Sequence, residues 1–73
     1  MSAVEVKAEL AGMIWKIVST AGQTVTEGDD MIIIESMKME IPVAATASGR
    51  VSEILVDEGA TVSEGTVLAL IET

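Results

Sequence analysis

One lysine, Lys38, lies near the centre of the chain between two methionines and two glutamates. Segment 35–40 reads Glu-Ser-Met-Lys-Met-Glu, so Met37 and Met39 flank the lysine directly, and Glu35 and Glu40 end the segment. A lysine amine is a group to which another molecule can be joined covalently. We therefore interpret Lys38 as a point of covalent attachment and not as part of a catalytic site.

The residue types that most often catalyse reactions are missing from the chain. Histidine and cysteine are both absent, which removes the usual general base at neutral pH, the thiol nucleophile and the commonest soft metal ligands. The acidic pairs at 29–30 and 57–58 are adjacent in sequence and lie beside turns, so we interpret them as solvated loops. The sequence predicts no catalytic residue and no metal site.

Composition and charge restrict the possible partners. Twelve acidic residues against four basic ones give a net charge of −8, which repels nucleic acids and favours basic surfaces on partner proteins. No apolar signal-peptide segment follows Met1, and no apolar run is long enough to cross a membrane. We expect a cytoplasmic protein. With 73 residues, the whole chain 1–73 is predicted to form one domain.

The chain contains an internal repeat. Segments 22–28 and 59–65 share five of seven residues, and their offset is 59 − 22 = 37. At this offset residues 1–36 align with residues 38–73, and only Met37 is unpaired. Two copies are too few for a solenoid, so the repeat predicts one domain made of two equivalent halves.

Each half has the pattern of short β-strands. Apolar and polar residues alternate over 4–8 and again over 41–45, and further aliphatic runs are bounded by glycine or acidic turns. The alternation slips at Lys16 and Glu53, which indicates either a bulge or a strand near a sheet edge. We predict an all-β fold: eight strands in two four-stranded antiparallel sheets, as a flattened barrel or sandwich with a pseudo-two-fold repeat.

The repeat also predicts where the lysine lies. Glycines fall at matching positions in the two halves, where turns need positive φ or close backbone approach; they are Gly12, Gly22, Gly28, Gly49, Gly59 and Gly65. If the halves are related by a two-fold axis, residues 36–39 form the hairpin that joins them. Lys38 is then exposed on this hairpin, and the chain termini meet at the opposite end. The hairpin has no Asn-Gly signal, so local propensity alone does not predict it.

Segment 35–39, Glu-Ser-Met-Lys-Met, closely resembles the attachment motif of biotinyl domains, in which the modified lysine lies between two methionines. The repeat and the predicted strands extend the resemblance to the biotinyl/lipoyl domain family from about Val4 to Glu72. The chain is most similar to single-domain biotin/lipoyl attachment proteins of the biotin carboxyl carrier type. The resemblance implies that a ligase joins biotin to Lys38, that Met37 and Met39 are flanking recognition residues, and that Glu35 helps to present the lysine.

The resemblance further implies a carrier and not an enzyme. Biotin on Lys38 would carry a carboxyl group between two active sites, so the implied partners are a biotin protein ligase, a biotin carboxylase and a carboxyltransferase. The cofactor and these enzymes would supply the chemistry, which agrees with the absence of histidine and cysteine.

Two alternatives remain open. Ser36 stands where many biotinyl domains carry Ala or Val, and Ser or Thr there resembles lipoyl domains, which would make Lys38 a lipoate carrier served by a lipoyl ligase. Lipoyl domains usually have Asp where this chain has Met37, so the methionine pair favours biotin. The other alternative is an unmodified interaction module that uses the same fold.

Overall fold

The computed structural model describes residues 2–73 and consists of β-strands joined by turns. The eight strands are β1 (Ala3–Lys7), β2 (Gly12–Ile17), β3 (Thr24–Val25), β4 (Asp30–Ser36), β5 (Met39–Ala44), β6 (Gly49–Ile54), β7 (Thr61–Val62) and β8 (Val67–Glu72). They form two four-stranded antiparallel sheets, which confirms the predicted all-β fold and its strand number.

The two sheets are equivalent under the repeat. One has the strand order β1-β8-β6-β3 and the other β5-β4-β2-β7. Exchanging each strand with the strand 37 residues away, β1 with β5 and so on to β4 with β8, converts the first order into the second. The predicted pseudo-two-fold relation is therefore confirmed. The first predicted half begins at Met1, which lies outside the described residues.

The inner faces of both sheets supply one aliphatic core. Its buried side chains come in near-equal numbers from the two halves, because the same alternating positions point inward in each copy; they are Val6, Ala8, Ile14, Val25, Met31, Ile32, Ile34, Ala45, Val51, Val62, Leu68, Ala69 and Ile71. Burial of aliphatic surface of this kind contributes about 0.8 kcal/mol per CH₂ group. The core fixes both sheets and hence the end of the molecule that carries the lysine.

The slip in alternation is a bulge. The register between β2 and β4 shifts between Ile14 and Lys16, and the register between β6 and β8 shifts at the equivalent place, between Val51 and Glu53. The bulge is confirmed, and β2 and β6 also lie near a sheet edge, since each is second in its sheet beside a two-residue edge strand, β7 or β3. The bulge leaves two consecutive side chains of β2, those of Trp15 and Lys16, exposed.

The molecule is elongated, with extents of 36 × 17 × 17 Å. The β4–β5 hairpin joins the two halves. At the equivalent position of the other sheet the chain termini pair, where the Thr73 N–H donates to the Ser2 carbonyl at 2.9 Å. This Ser2–Thr73 pair corresponds, residue for residue, to Met39 and Ser36 under the 37-residue offset. The predicted meeting of the two termini is confirmed.

Candidate functional site

Lys38 is the second central residue of a two-residue hairpin turn. Ser36 pairs with Met39 at the end of the β4–β5 ladder, which leaves Met37 and Lys38 to make the turn. Their φ angles are 52° and 64°, the positive values that type I′ hairpin turns require at both central positions. The hairpin predicted at 36–39 is confirmed, and its turn is of a type usually made by Asn-Gly.

The stem of this hairpin is anchored in the core. Ile34 is fully buried and pairs with Ile41 two rows below the turn, so the strands that lead to the lysine cannot separate without exposing core surface. Gly12 of β2 lies against the same stem. A Cβ atom on Gly12 would lie 2.6 Å from the Glu35 carbonyl oxygen and 2.6 Å from Ile34 Cγ2, so only glycine lets β2 approach β4 this closely.

The turn itself projects into solvent. Lys38 is exposed, and the exposed fractions of Met37 and Met39 are 92% and 63%, so neither methionine fills the core. Within residues 2–73 the only ion pair joins Lys7 and Glu5, at 3.4 Å, and the Lys38 ammonium group is not part of one. The lysine amine is thus held on a stable hairpin and remains accessible to a reaction partner.

The two glutamates of the motif meet across the hairpin. Glu35 of β4 lies directly opposite Glu40 of β5, one row below the turn. Directly opposed side chains have Cβ atoms about 4.5–5.5 Å apart, and like charges in such a pair are destabilising. Glu35 also lies opposite Met13 of β2. The hairpin therefore has an acidic pair at its base, which segment 35–40 alone does not reveal.

The outward-facing residues beside this acidic pair are apolar, and sequence reasoning missed them. Met13 and Trp15 flank the buried Ile14 on β2, so both point away from the core, with exposed fractions of 38% and 43%. Ile33 of β4 lies opposite Lys16 on one side and opposite Pro42 of β5 on the other. We call Met13, Trp15, Ile33 and Pro42 the outer patch. The signal that could have found it is in the repeat alignment, where Met13 and Trp15 align with the polar residues Arg50 and Ser52.

The acidic loops turn out to be partly structural. Asp29 Oδ2 accepts a hydrogen bond from the Thr26 N–H at 2.9 Å, and Glu58 Oε2 accepts one from the Ile17 N–H at 3.0 Å. Both residues are exposed, as predicted, but the Asp29 carboxylate also closes its own turn, and the Glu58 carboxylate joins its loop to the end of β2. Across the described part of the chain, no cluster of three or more acidic, histidine or cysteine side chains could hold a metal ion. Residues 2–73 also include no helix of the length and apolarity needed to cross a membrane.

A groove of about 430 Å³ lies away from the lysine. Its walls come from the end of β1, the turn at residues 27–28 and the edge strand β5, and they include Lys7, Leu10 and Val43. Neither the hairpin turn nor the outer patch, apart from Pro42, contributes to it. The groove therefore gives the Lys38 amine no pocket, and the candidate site is a projecting turn.

Comparison with known proteins agrees with this geometry. The family described as biotin-requiring enzyme, Biotin_lipoyl, matches residues 2–71. The biotin/lipoyl attachment protein of Bacillus subtilis (strain 168) is 46% identical over 44 residues, which is 60% of this chain and 60% of that protein. The urea amidolyase of Lachancea kluyveri is 48% identical over 46 residues, which is 63% of this chain and 2% of that protein.

Among solved structures, the urea carboxylase of Kluyveromyces lactis contains a region that superposes on this chain with a TM-score of 0.93 at 42% identity. The superposition covers 99% of this chain and 6% of the carboxylase. The chain thus spans a small part of the urea amidolyase and the urea carboxylase, and more than half of the B. subtilis protein.

Proposed function

Because this chain belongs to the biotin/lipoyl attachment family, we propose that it is a biotin carboxyl carrier in which biotin is joined by an amide bond to Lys38. The observation that carries the proposal is the position of the lysine. Lys38 lies on an exposed two-residue turn, whereas Lys7 and Lys16 lie within strands β1 and β2. When bound, biotin supplies the nitrogen that accepts and releases the carboxyl group.

The chain's own contribution is to hold and present this amine. The buried Ile34 fixes the hairpin stem, and the turn keeps the lysine clear of the protein surface, so an attached arm can enter another protein's active site. A tether of this kind raises the effective concentration of its cargo at each site that it can reach. The residues present fit the cofactor, because Lys38 supplies the accessible amine that an amide bond to biotin requires.

The proposed partners follow from this role. A biotin protein ligase would modify Lys38, and a biotin carboxylase and a carboxyltransferase would then load and unload the arm. Relatives named urea amidolyase and urea carboxylase support a carboxylase as the enzyme served. The net charge of −8 favours basic docking surfaces on these partners.

The direct test is the intact mass of the protein after incubation with a biotin protein ligase, biotin and ATP. We expect one biotin adduct per chain, mapped to Lys38 by peptide mass spectrometry. Lys38→Arg should remove the adduct completely while leaving the thermal unfolding midpoint nearly unchanged, because an exposed side chain contributes little to stability. Lys7 and Lys16 remain in this variant as internal controls. An adduct that persisted in Lys38→Arg would contradict the proposal.

Lipoate is the second candidate for the same amine, and Ser36 is the observation that favours it. The same mass measurement with a lipoyl ligase and lipoate distinguishes the two cofactors, because their adducts differ in mass and only biotin binds streptavidin. Met37→Asp places an acid directly before the lysine, as in lipoyl domains, and should shift modification toward lipoate. If neither ligase responded to this change, the flanking methionine would not determine which cofactor is attached.

A further inference from the structure

The outer patch breaks the symmetry of the molecule. The four positions equivalent to Met13, Trp15, Ile33 and Pro42 on the other sheet are, in the same order, Arg50, Ser52, Leu70 and Glu5. Three of these four equivalent residues are polar or charged, and only Leu70 is apolar. The two sheets have the same strand order and the same bulge, so the fold itself tolerates a polar outer face at these positions. The fold therefore does not require apolar side chains at the positions of Met13, Trp15 and Pro42.

The other exposed apolar residues support this distinction. Val18 and Leu55 are exposed to 40% and 44%, and they occupy equivalent positions in the two halves. Their exposure is a property of the repeated fold. Trp15 is exposed to a similar extent, at 43%, but its equivalent is Ser52. It is also the only aromatic residue in the chain, and tryptophan is the side chain most enriched among residues that dominate binding energy at interfaces.

The outer patch is continuous with the lysine-bearing hairpin. Met13 lies opposite Glu35, one row from the Ser36–Met39 pair, and Ile33 lies three rows from that pair, a distance of about 10 Å at ~3.4 Å per residue. A protein that places its active site over the turn would also cover this face. The acidic pair of Glu35 and Glu40 lies in the row of Met13, between the turn and the Ile33–Pro42 row of the outer patch.

We propose that the outer patch is the surface on which the enzyme that acylates Lys38 docks, an inference that rests on the proposed function. The partner surface that fits is apolar where it meets Trp15 and Met13, and basic where it meets Glu35 and Glu40. Apolar contact at the centre of an interface, with charged pairs at its margin, is the usual arrangement of protein–protein interfaces.

The acylating enzyme is the occupant because it must recognise the chain before any cofactor is attached. An enzyme that acts on the loaded carrier can bind the attached group itself, whereas the ligase has only the protein surface to distinguish this lysine from others. Lys7 and Lys16 are exposed too, so exposure alone cannot provide that selectivity. A docking face that lies beside the hairpin turn can provide the selectivity for Lys38.

The test grafts the other sheet's residues onto the outer patch. The variant Met13→Arg/Trp15→Ser carries the side chains that the fold already accepts at positions 50 and 52. We expect kcat/KM for biotin ligation to fall about tenfold or more, mainly through KM, because docking contacts are made equally in the ground and transition states. The dissociation constant of the chain and ligase, measured by titration calorimetry without ATP, should rise by a similar factor. Trp15→Phe alone, which keeps an apolar ring at this position, should retain most of the wild-type kcat/KM.

Leu55→Ser is the matched control, because it removes an equally exposed apolar side chain that lies just beyond β6, in the other half of the chain. It should leave ligation and binding unchanged, and thermal unfolding of every variant checks that the fold is intact. Unchanged ligation in the grafted variant would overturn the proposal, as would an equal loss in Leu55→Ser. A grafted variant that is ligated normally but loses carboxyl transfer would also overturn it, since the patch would then serve a carboxylase.

The two proposals fail in different ways. If wild-type protein gains no adduct on Lys38, the proposed function fails, and the binding titration still shows whether the outer patch contacts the ligase. If the adduct forms normally on wild-type and grafted proteins alike, only the docking surface is wrong.

Discussion

The two ends of the molecule are built from equivalent residues but differ in three respects. At one end Ser36 and Met39 are joined by a turn in which both central residues have positive φ; at the other, Ser2 and Thr73 pair with no turn between them. Glu35 faces Glu40 at the first end, whereas its equivalent Glu72 faces Ala3 at the second. The outer patch lies on the sheet of the first end only.

Each of these differences is locally unfavourable. Positive φ at a non-glycine residue costs about 1–2 kcal/mol, and like charges that lie opposite each other repel. Apolar surface left in contact with water contributes none of the stabilisation that its burial would give. The end formed by the termini shows that the same sheets form without any of them. Features that lower stability and are not required by the fold are expected at functional sites. The comparison between the ends thus supports the proposed role of the lysine end without reference to its motif.

The largest expected effect comes from the two glycines that allow close strand approach. Gly12→Ala and Gly49→Ala should each lower the free energy of unfolding by about 1–3 kcal/mol, because the added Cβ overlaps the neighbouring strand at both sites. Urea unfolding followed by the fluorescence of Trp15, the sole tryptophan, measures this. Only Gly12→Ala should also slow ligation, since Gly12 contacts the stem of the lysine hairpin. Equal effects on ligation would remove the functional difference between the ends.

The next largest effect is a gain in stability, expected when the backbone strain of the hairpin turn is removed. Met37→Gly should raise the free energy of unfolding by about 1 kcal/mol, because glycine adopts positive φ without steric cost. Met39→Gly is the control and should be destabilising, since Met39 belongs to strand β5 and is not among the residues with positive φ. Chemical denaturation of both variants measures the difference. If Met37→Gly were destabilising as well, the turn would not be a source of strain.

The smallest effect concerns the acidic pair. Glu40→Gln should stabilise the fold by about 0.2–1 kcal/mol at neutral pH and low salt, because it removes a repulsion between directly opposed charges. Ala3→Glu creates a like-charged pair with Glu72 at the other end and should destabilise the fold by a smaller amount, because Arg50 lies opposite Glu72 on its other side. Both effects should shrink at about 1 M salt, where the Debye length is ~3 Å. If the change in the free energy of unfolding of both variants did not depend on salt concentration, the opposed carboxylates would not repel each other.

The repeat accounts for most of what the sequence predicts. The 37-residue offset predicts which strands are equivalent, that β2 and β6 share one irregularity, and where the hairpin joins the halves, because two equivalent copies must form equivalent structure. The turn type at Met37 and Lys38 was not predictable locally, since neither residue favours positive φ and the pairing of β4 with β5 imposes it. Tertiary packing overrides local propensity there.

What the sequence did not reveal is where the halves differ in function. The pairing of Glu35 with Glu40 depends on the hairpin register, and the exposure of Met13 and Trp15 depends on which face of β2 is buried. The repeat alignment already places Met13 and Trp15 opposite Arg50 and Ser52. The fold was predicted from the positions at which the halves agree, so this difference between them was not used. The prediction that the acidic pairs are solvated loops also missed the hydrogen bond that the Ile17 N–H donates to Glu58, because these residues are far apart in sequence.

The Ser2–Thr73 pair is a hairpin that lacks only its turn. Because it corresponds residue for residue to Met39 and Ser36, a Met-Lys dipeptide that replaces Met1 and joins Thr73 to Ser2 would close the chain into a ring with a turn of the same length. The product would carry a lysine at each end of a body 36 Å long, and it would convert a monovalent carrier into a bivalent one. Opening that ring within residues 37–38 would give a circular permutant whose sole remaining turn lysine lies at the former termini.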